Sequence, residues 1–270
     1  MLYSLALAVL TIAPAQGGMV KLTNIRMTIG ELGPTRPTSK LLPGDILFIG
    51  YDVNGVTIAP DGVAVYTMAM EVVNSAGKTI FKQDAREMKD FVPLRGNTFP
   101  ARAFVTIGID QDAGAYTCKV TVEDPKTKSK DTLSTKFEVL KQDFGIVAVY
   151  ATHDLGGALA APTTGIVGQT TFIQFSVASF QRDIKTKQPN VEFEFQILDD
   201  KGTPTLAQPG KAIQDDKSLE KVNENAGAFA MKYALFLSRP GKFTFKITAT
   251  DKLASKTYNY ELPVTILPAN

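Results

Sequence analysis

The chain predicts an all-β protein built from two tandem copies of one antiparallel β-sandwich, and three observations carry that reading. Apolar residues alternate with polar ones, as in Val191, Phe193, Phe195 and Ile197 with Glu192, Glu194 and Gln196 between them. A period of two, rather than 3.6, puts one set on a core face and the other in solvent. Turn residues interrupt these runs at short intervals, as expected of a sandwich. Finally, two blocks recur at nearly one offset: Gly44–Val53 matches Gly168–Val177 at 124 residues, and Ala113–Asp124 matches Pro240–Asp251 at 127. A chain of 270 residues accommodates two such units at ordinary domain size. The expected boundaries are 16–141 and 142–270.

Each copy predicts about seven strands. In the first they fall near 20–28, 45–53, 63–73, 78–83, 101–109, 115–123 and 132–140. In the second they fall near 145–151, 169–178, 190–198, 203–207, 227–237, 242–250 and 256–266. Leu47, Ile49, Tyr51 and Val53 share a face, with Ile173, Phe175 and Val177 as counterparts. Asn74-Ser75-Ala76-Gly77 and Asp199-Asp200-Lys201-Gly202 are turns ending in the glycine that a positive φ favours. Two polar stretches, Asp84–Pro100 and Lys211–Gly227, break the alternation at the same place in each copy and read as solvated crossovers. The link from Leu140 to Phe144 is short, so the two units are expected end to end with little freedom to bend.

Composition narrows the function classes. Basic and acidic residues nearly balance, 29 against 27, and neither half carries the positive excess of a nucleic-acid binder. Leu2–Ala13 is almost wholly apolar yet shorter than the ~20 residues of a membrane span. With Ala13-Pro14-Ala15 behind it, it reads as a signal peptide over 1–15, although no basic residue precedes it. Export to a periplasmic, cell-surface or extracellular setting is therefore expected, with no transmembrane span. The single cysteine excludes an intrachain disulfide.

Asp112-x-Gly114-x-Tyr116-x-Cys118 resembles the F-strand signature of immunoglobulin domains. That resemblance implies a tyrosine corner, in which the Tyr hydroxyl bonds back to upstream backbone. The family's second Cys and its strand-C Trp are missing, and the second copy has Arg239, Phe243 and Phe245 at the matching positions. What both copies share (a glycine, an aromatic, Val/Ile alternation and a closing Asp) is similar to bacterial Ig-like, PKD-like and fibronectin-type modules. The resemblance implies architecture and transfers no functional residue.

Catalytic and metal constellations are not evident. One histidine, His153, cannot supply a multi-histidine metal site, and no Gly-x-Ser-x-Gly elbow accompanies it. It reads as an exposed residue of an interdomain loop. Cys118 follows the inward register of Tyr116 and Val120 and reads as a small buried hydrophobe. The acidic pairs Asp199-Asp200 and Asp215-Asp216 lack the converging oxygens of a calcium loop and read as turn and cap residues. Lys126, Lys128 and Lys130 sit at a hairpin tip, where they protect an edge. No cofactor is expected. The reading is a non-enzymatic exported protein acting as a binding, adhesion or structural module, with a protein or polysaccharide of the cell envelope as partner. The alternative is a carbohydrate-binding accessory of polysaccharide processing. For that, Phe91, Phe99 and Phe180, expected in loops, would offer stacking faces, and His153 would be a further ligand contact.

Overall fold

A computed structural model of the chain describes residues 18–269. The expected signal segment over 1–15 lies outside the described residues. Among these the chain is all-β. The first copy comprises β1 (Lys21–Thr28), β2 (Lys40–Leu41), β3 (Ile46–Asn54), β4 (Val63–Asn74), β5 (Thr79–Phe91), β6 (Thr98–Thr106), β7 (Gly114–Glu123) and β8 (Lys130–Val139). The second comprises β9 (Gly145–Thr152), β10 (Thr164–Ile166), β11 (Thr170–Ala178), β12 (Val191–Leu198), β13 (Gly210–Gln214), β14 (Ala228–Phe236), β15 (Gly241–Asp251) and β16 (Lys256–Leu267).

The sheet orders are β1-β3-β6 facing β2-β8-β7-β4-β5, and β9-β11-β14 facing β10-β16-β15-β12-β13. Strand for strand these are one topology written twice, an Ig-like sandwich of a three-stranded and a five-stranded sheet. The pairing is antiparallel except at two short edges, where β2 runs parallel to β8 and β10 to β16. Alternation places the cores as the pattern requires: Tyr51, Tyr66, Cys118 and Val120 fill the first, and Phe175, Phe193, Phe195 and Phe245 fill the second.

The structure corrects the strand reading in three places. Each copy has eight strands, because β2 and β10 are too short to show alternation. The stretch Asp84–Pro100 is not a crossover throughout, since β5 runs on to Phe91. It was masked because an exposed edge strand has no apolar face to alternate; only Met88 touches the core, and Asp90 accepts the Tyr66 hydroxyl at 2.7 Å. In the second copy the edge strand is β13 at 210–214 rather than 203–207, where pairing stops at the Leu198–Pro204 bridge and the flanking bonds of Asp199 to Thr203 and Thr205 to Ile197. Proline has no N–H with which to continue a ladder.

In each copy a buried aspartate, one residue past β7 in the first and the last of β15 in the second, fastens two loops together. Asp124 accepts the Thr57 amide (2.9 Å) and hydroxyl (2.7 Å) and the Lys126 amide (2.8 Å). Asp251 accepts the Gln181, Leu253 and Ala254 amides at 2.7, 2.9 and 3.1 Å. These bonds are the physical reason for the strand-ending aspartates shared by the two repeats.

The two sandwiches meet through a small core of their own. Leu42 packs with Val147 and Ala178, flanked by Ile109, Leu140, Ala228 and Tyr258. Ile29, from the loop after β1, is buried in the second sandwich's core rather than the first's. Asp45 sits at this junction. One oxygen pairs with Arg36 at 2.7 Å, and the other accepts the amides of Ile46 (2.8 Å) and Ala148 (2.9 Å). Ala148 is a bulge residue of β9 at φ 51°, equivalent to Asn24 at φ 51° in β1. Asparagine tolerates that left-handed conformation, whereas alanine is strained in it by about 1–2 kcal/mol. The second copy's bulge thus aims its N–H at a carboxylate of the first copy. The close approach also shows at Gly227, where an added Cβ would lie 2.7 Å from Ile109.

Two outcomes follow. Asp45→Ala leaves Arg36, whose side chain is 9% exposed, as a buried cation without its partner. It should cost about 3–5 kcal/mol, read from the shift of the urea unfolding midpoint. Burial of Asp124 opposes its charge, but its hydrogen bonds from Thr57, Lys126 and Thr127 outweigh this and hold its carboxyl below the ordinary value of 3.8. A lowered folded pKa contributes stability that is complete above the unfolded value and is lost as pH falls through the folded one. Wild type should therefore lose stability below about pH 4, and Asp124→Asn should flatten that part of the profile.

Candidate functional site

The residues marked by sequence are dispersed. His153 is exposed, but in the loop after β9 within the second sandwich rather than between the two, and its backbone N–H bonds the Leu159 carbonyl at 2.8 Å. The neighbouring Asp154 carboxylate is held below its ordinary value by the amides of Leu159 and Ala158, so it serves its own turn. Phe99 lies inside β6, 5% exposed, with its ring 5.4 Å from Tyr66; it is a core residue, not a loop residue. Phe180 does lie in a loop, but one face is covered by the Arg182 guanidinium at 4.8 Å and Phe229 packs against it at 5.0 Å. Phe91 ends β5, 65% exposed, beside a groove of ≈ 550 Å³ formed with Ile58, Pro60 and Arg95. These four do not form one site.

Asp199 accepts its own turn's amides from Lys201 and Thr203, and Asp215 those of Lys217 and Ser218. Both acidic pairs are thus turn caps. Among the described residues no group of three His, Cys, Asp or Glu side chains is placed to hold a metal.

The feature that sets the copies apart lies at one end of the sandwich, between the two sheets. In the first copy this end is closed. Tyr116 donates its hydroxyl to the Asp112 carbonyl at 2.8 Å, which is the tyrosine corner expected from the F-strand signature. Gln111 donates its amide to the same hydroxyl at 2.7 Å, and Phe137 stacks on the ring at 5.6 Å. The space left, bordered by Val72, Phe81 and Val105, is ≈ 160 Å³.

In the second copy the equivalent end is open, with a cleft of ≈ 550 Å³. Strand pairing fixes the correspondence: Tyr116 faces Phe137 as Phe243 faces Val264, and Leu47 faces Val105 as Thr171 faces Leu235. Three changes distinguish it. Phe243 replaces Tyr116, so there is no hydroxyl to fasten the corner, and the Arg239 guanidinium lies 5.1 Å over the ring instead. β13 reaches only to the Phe195–Gly210 pair, so beyond it the edge beside Ile197 is a single backbone bond, from the Thr205 amide at 2.8 Å, whereas β5 follows β4 to Val73. Ala103 of β6 becomes Tyr233 in β14, with ring centroids 4.8 Å from both Phe195 and Phe245. The walls are Ile197, Leu206, Tyr233, Leu235 and Phe243, with Arg239 and Ser238 at the rim. Leu206 and Phe236 are exposed there.

In the sequence the exchange of Tyr116 and Cys118 for Phe243 and Phe245 shows only as a lost signature. Set against the first copy, Arg239 and Phe243 were the legible signal of the cleft. The distance between β14 and the 205–206 segment was not legible.

No family model matches the chain, and no curated protein does. Solved structures similar to it include the C-terminal domain of the Streptococcus agalactiae AgI/II polypeptide BspA, at 9% identity and TM-score 0.30, covering 91% of this chain and 100% of that one. A red sea bream transglutaminase is similar at 10% identity and TM-score 0.28 over 92% of this chain, which spans 31% of the enzyme. The Pseudomonas fluorescens alkylpurine DNA glycosylase AlkC is similar at 16% identity and TM-score 0.29, covering 46% of this chain and 31% of that one. Scores this low carry neither fold nor role to this chain. The Ig-like assignment rests on the strand order and the tyrosine corner.

Cys118 is fully buried, and burial pushes its thiol up to about 12. The thiolate is the reactive form. An aromatic disulfide reagent at pH 8 should therefore label the native chain at the rate of unfolding rather than of a free thiol, and label it at once in denaturant.

Proposed function

We propose that the chain is a non-enzymatic binding module of the cell envelope, in which the second sandwich takes a ligand in its open end and the first serves as a closed, fixed support. The observation that carries this reading is the contrast between equivalent ends, ≈ 160 Å³ in one copy and ≈ 550 Å³ in the other. Pockets that hold small organic molecules run from roughly 300 to 1,000 Å³. The second cleft is in that range and the first is below it. Duplication supports division of labour, since one copy keeps the corner that seals the fold and the other has exchanged it for space. The apolar run Leu2–Ala13 and the Ala13-Pro14-Ala15 motif support export. The near balance of charge favours a partner other than nucleic acid.

A second reading, carbohydrate binding, is favoured by Phe91 alone among the three marked phenylalanines, because only its ring combines high exposure with a groove. Amide shift mapping with a library of soluble fragments and with envelope oligosaccharides separates the two. The expected result is shifts at Leu206, Leu235 and Arg239, with Phe81 and Val105 unmoved. Oligosaccharide shifts confined to Gly62 and Val92, abolished by Phe91→Ala, would replace the cleft reading with the carbohydrate one. A silent spectrum throughout would remove both.

A further inference from the structure

We infer that the open end of the second sandwich binds a small amphipathic anion, an apolar body carrying a single carboxylate, with Arg239 as the group that receives the charge. This rests on the binding reading above and adds the ligand's chemistry. The interior of the cleft is aliphatic and aromatic, from Ile197, Leu206, Tyr233, Leu235 and Phe243. Apolar surface removed from water there contributes about 25 cal/mol per Å², which selects a greasy body over a polyhydroxylated one.

The rim carries the opposite chemistry. Arg239 forms no ion pair among the described residues, although it lies at the mouth of the cleft. Its guanidinium lies over the Phe243 ring at 5.1 Å, and the residue is exposed, so its N–H groups face solvent. A planar fork of this kind matches a carboxylate through two parallel hydrogen bonds. The acid that feels its charge is Asp199, and that carboxylate is already engaged by the amides of Lys201 and Thr203. Ser238 and Thr205 add hydroxyl groups to the lining of the same cleft.

The occupant is a small molecule rather than a further sandwich. The corresponding end of the first copy grips its neighbour through Asp45, which collects Arg36 and the Ala148 amide. The matching residue in the second copy is Gln169, whose side-chain carbonyl accepts the Ile166 amide of its own sandwich at 2.9 Å. The carboxylate that makes the first junction has no counterpart here.

Calorimetric titration with decanoate and with decan-1-ol, both below their aggregation limits, tests the inference on the described chain. Decanoate should bind at least about tenfold more tightly than the alcohol, and Arg239→Gln should remove that advantage while leaving alcohol binding in place. Arg239 is exposed, so the variant should fold, and an unchanged thermal midpoint would verify it. Equal binding of acid and alcohol, or decanoate binding indifferent to Arg239→Gln, would overturn the anion assignment while leaving a ligand-binding cleft. Failure of both probes to bind or to shift the Leu206 and Leu235 amides would overturn the assignment together with the cleft. Sedimentation with phosphatidylglycerol vesicles in the absence of decanoate binding would replace the free amphiphile by a lipid surface.

Discussion

The carboxylate of Asp45 faces three demands at once, and the relation of the two sandwiches depends on how it meets them. It fixes the start of β3 through Ile46, holds Arg36 on the connection between β1 and β2, and reaches across to Ala148 in β9. Burying such a charge is costly unless every lone pair has a partner. Here the partners come from both sandwiches, so separating them would strand a charge as well as expose Leu42 and Val147. Burial and, after it, the charge of Asp45 hold the Tyr258 phenol above its ordinary value, and Tyr258 of β16 packs against the same small core. The short linker limits how far the units can part, and this contact ties them at the junction.

With the junction tied, the two copies are free to differ in their ends. A tyrosine corner contributes about 1 kcal/mol through its hydrogen bond and also excludes space. Exchanging Tyr116 for Phe243 forgoes the bond, and the second core compensates with aromatic packing: Phe195 stacks with Phe193 and Phe245, and Tyr233 wedges between. The first core uses smaller side chains at the corresponding sites, with Met70, Cys118 and Ala103 buried. The opened end is therefore accommodated by a redistributed core rather than by a weakened one.

Period-two alternation was sufficient for the strands that face a core. β4 and β6 alternate almost residue by residue between buried and partly or fully exposed positions, and their patterns are readable without coordinates. It failed where strands have no buried face, as in β5, or are too short to establish a period, as in β2 and β10. The inward placement of Cys118 was readable from register, and the tyrosine corner from spacing. Phe99 falls in the expected loop because the next strand is read from 101, past Pro100, whereas β6 begins at Thr98. The cleft depends on the gap between segments far apart in sequence, and on where β13 stops pairing with β12. Local patterning encodes neither.

The short parallel edges have a mechanical meaning. β2 hydrogen-bonds β8 through Glu138 to Ser39 and Leu140 to Leu41, and β10 meets β16 through Thr265 to Thr163 and Val167 to Leu267. In each sandwich the later strand of the pair is the one through which the chain leaves. Tension applied along the chain pulls such parallel partners past one another, so their bonds are strained together rather than peeled singly. The two strands that carry least of the fold are thus placed to bear load first, ahead of either core.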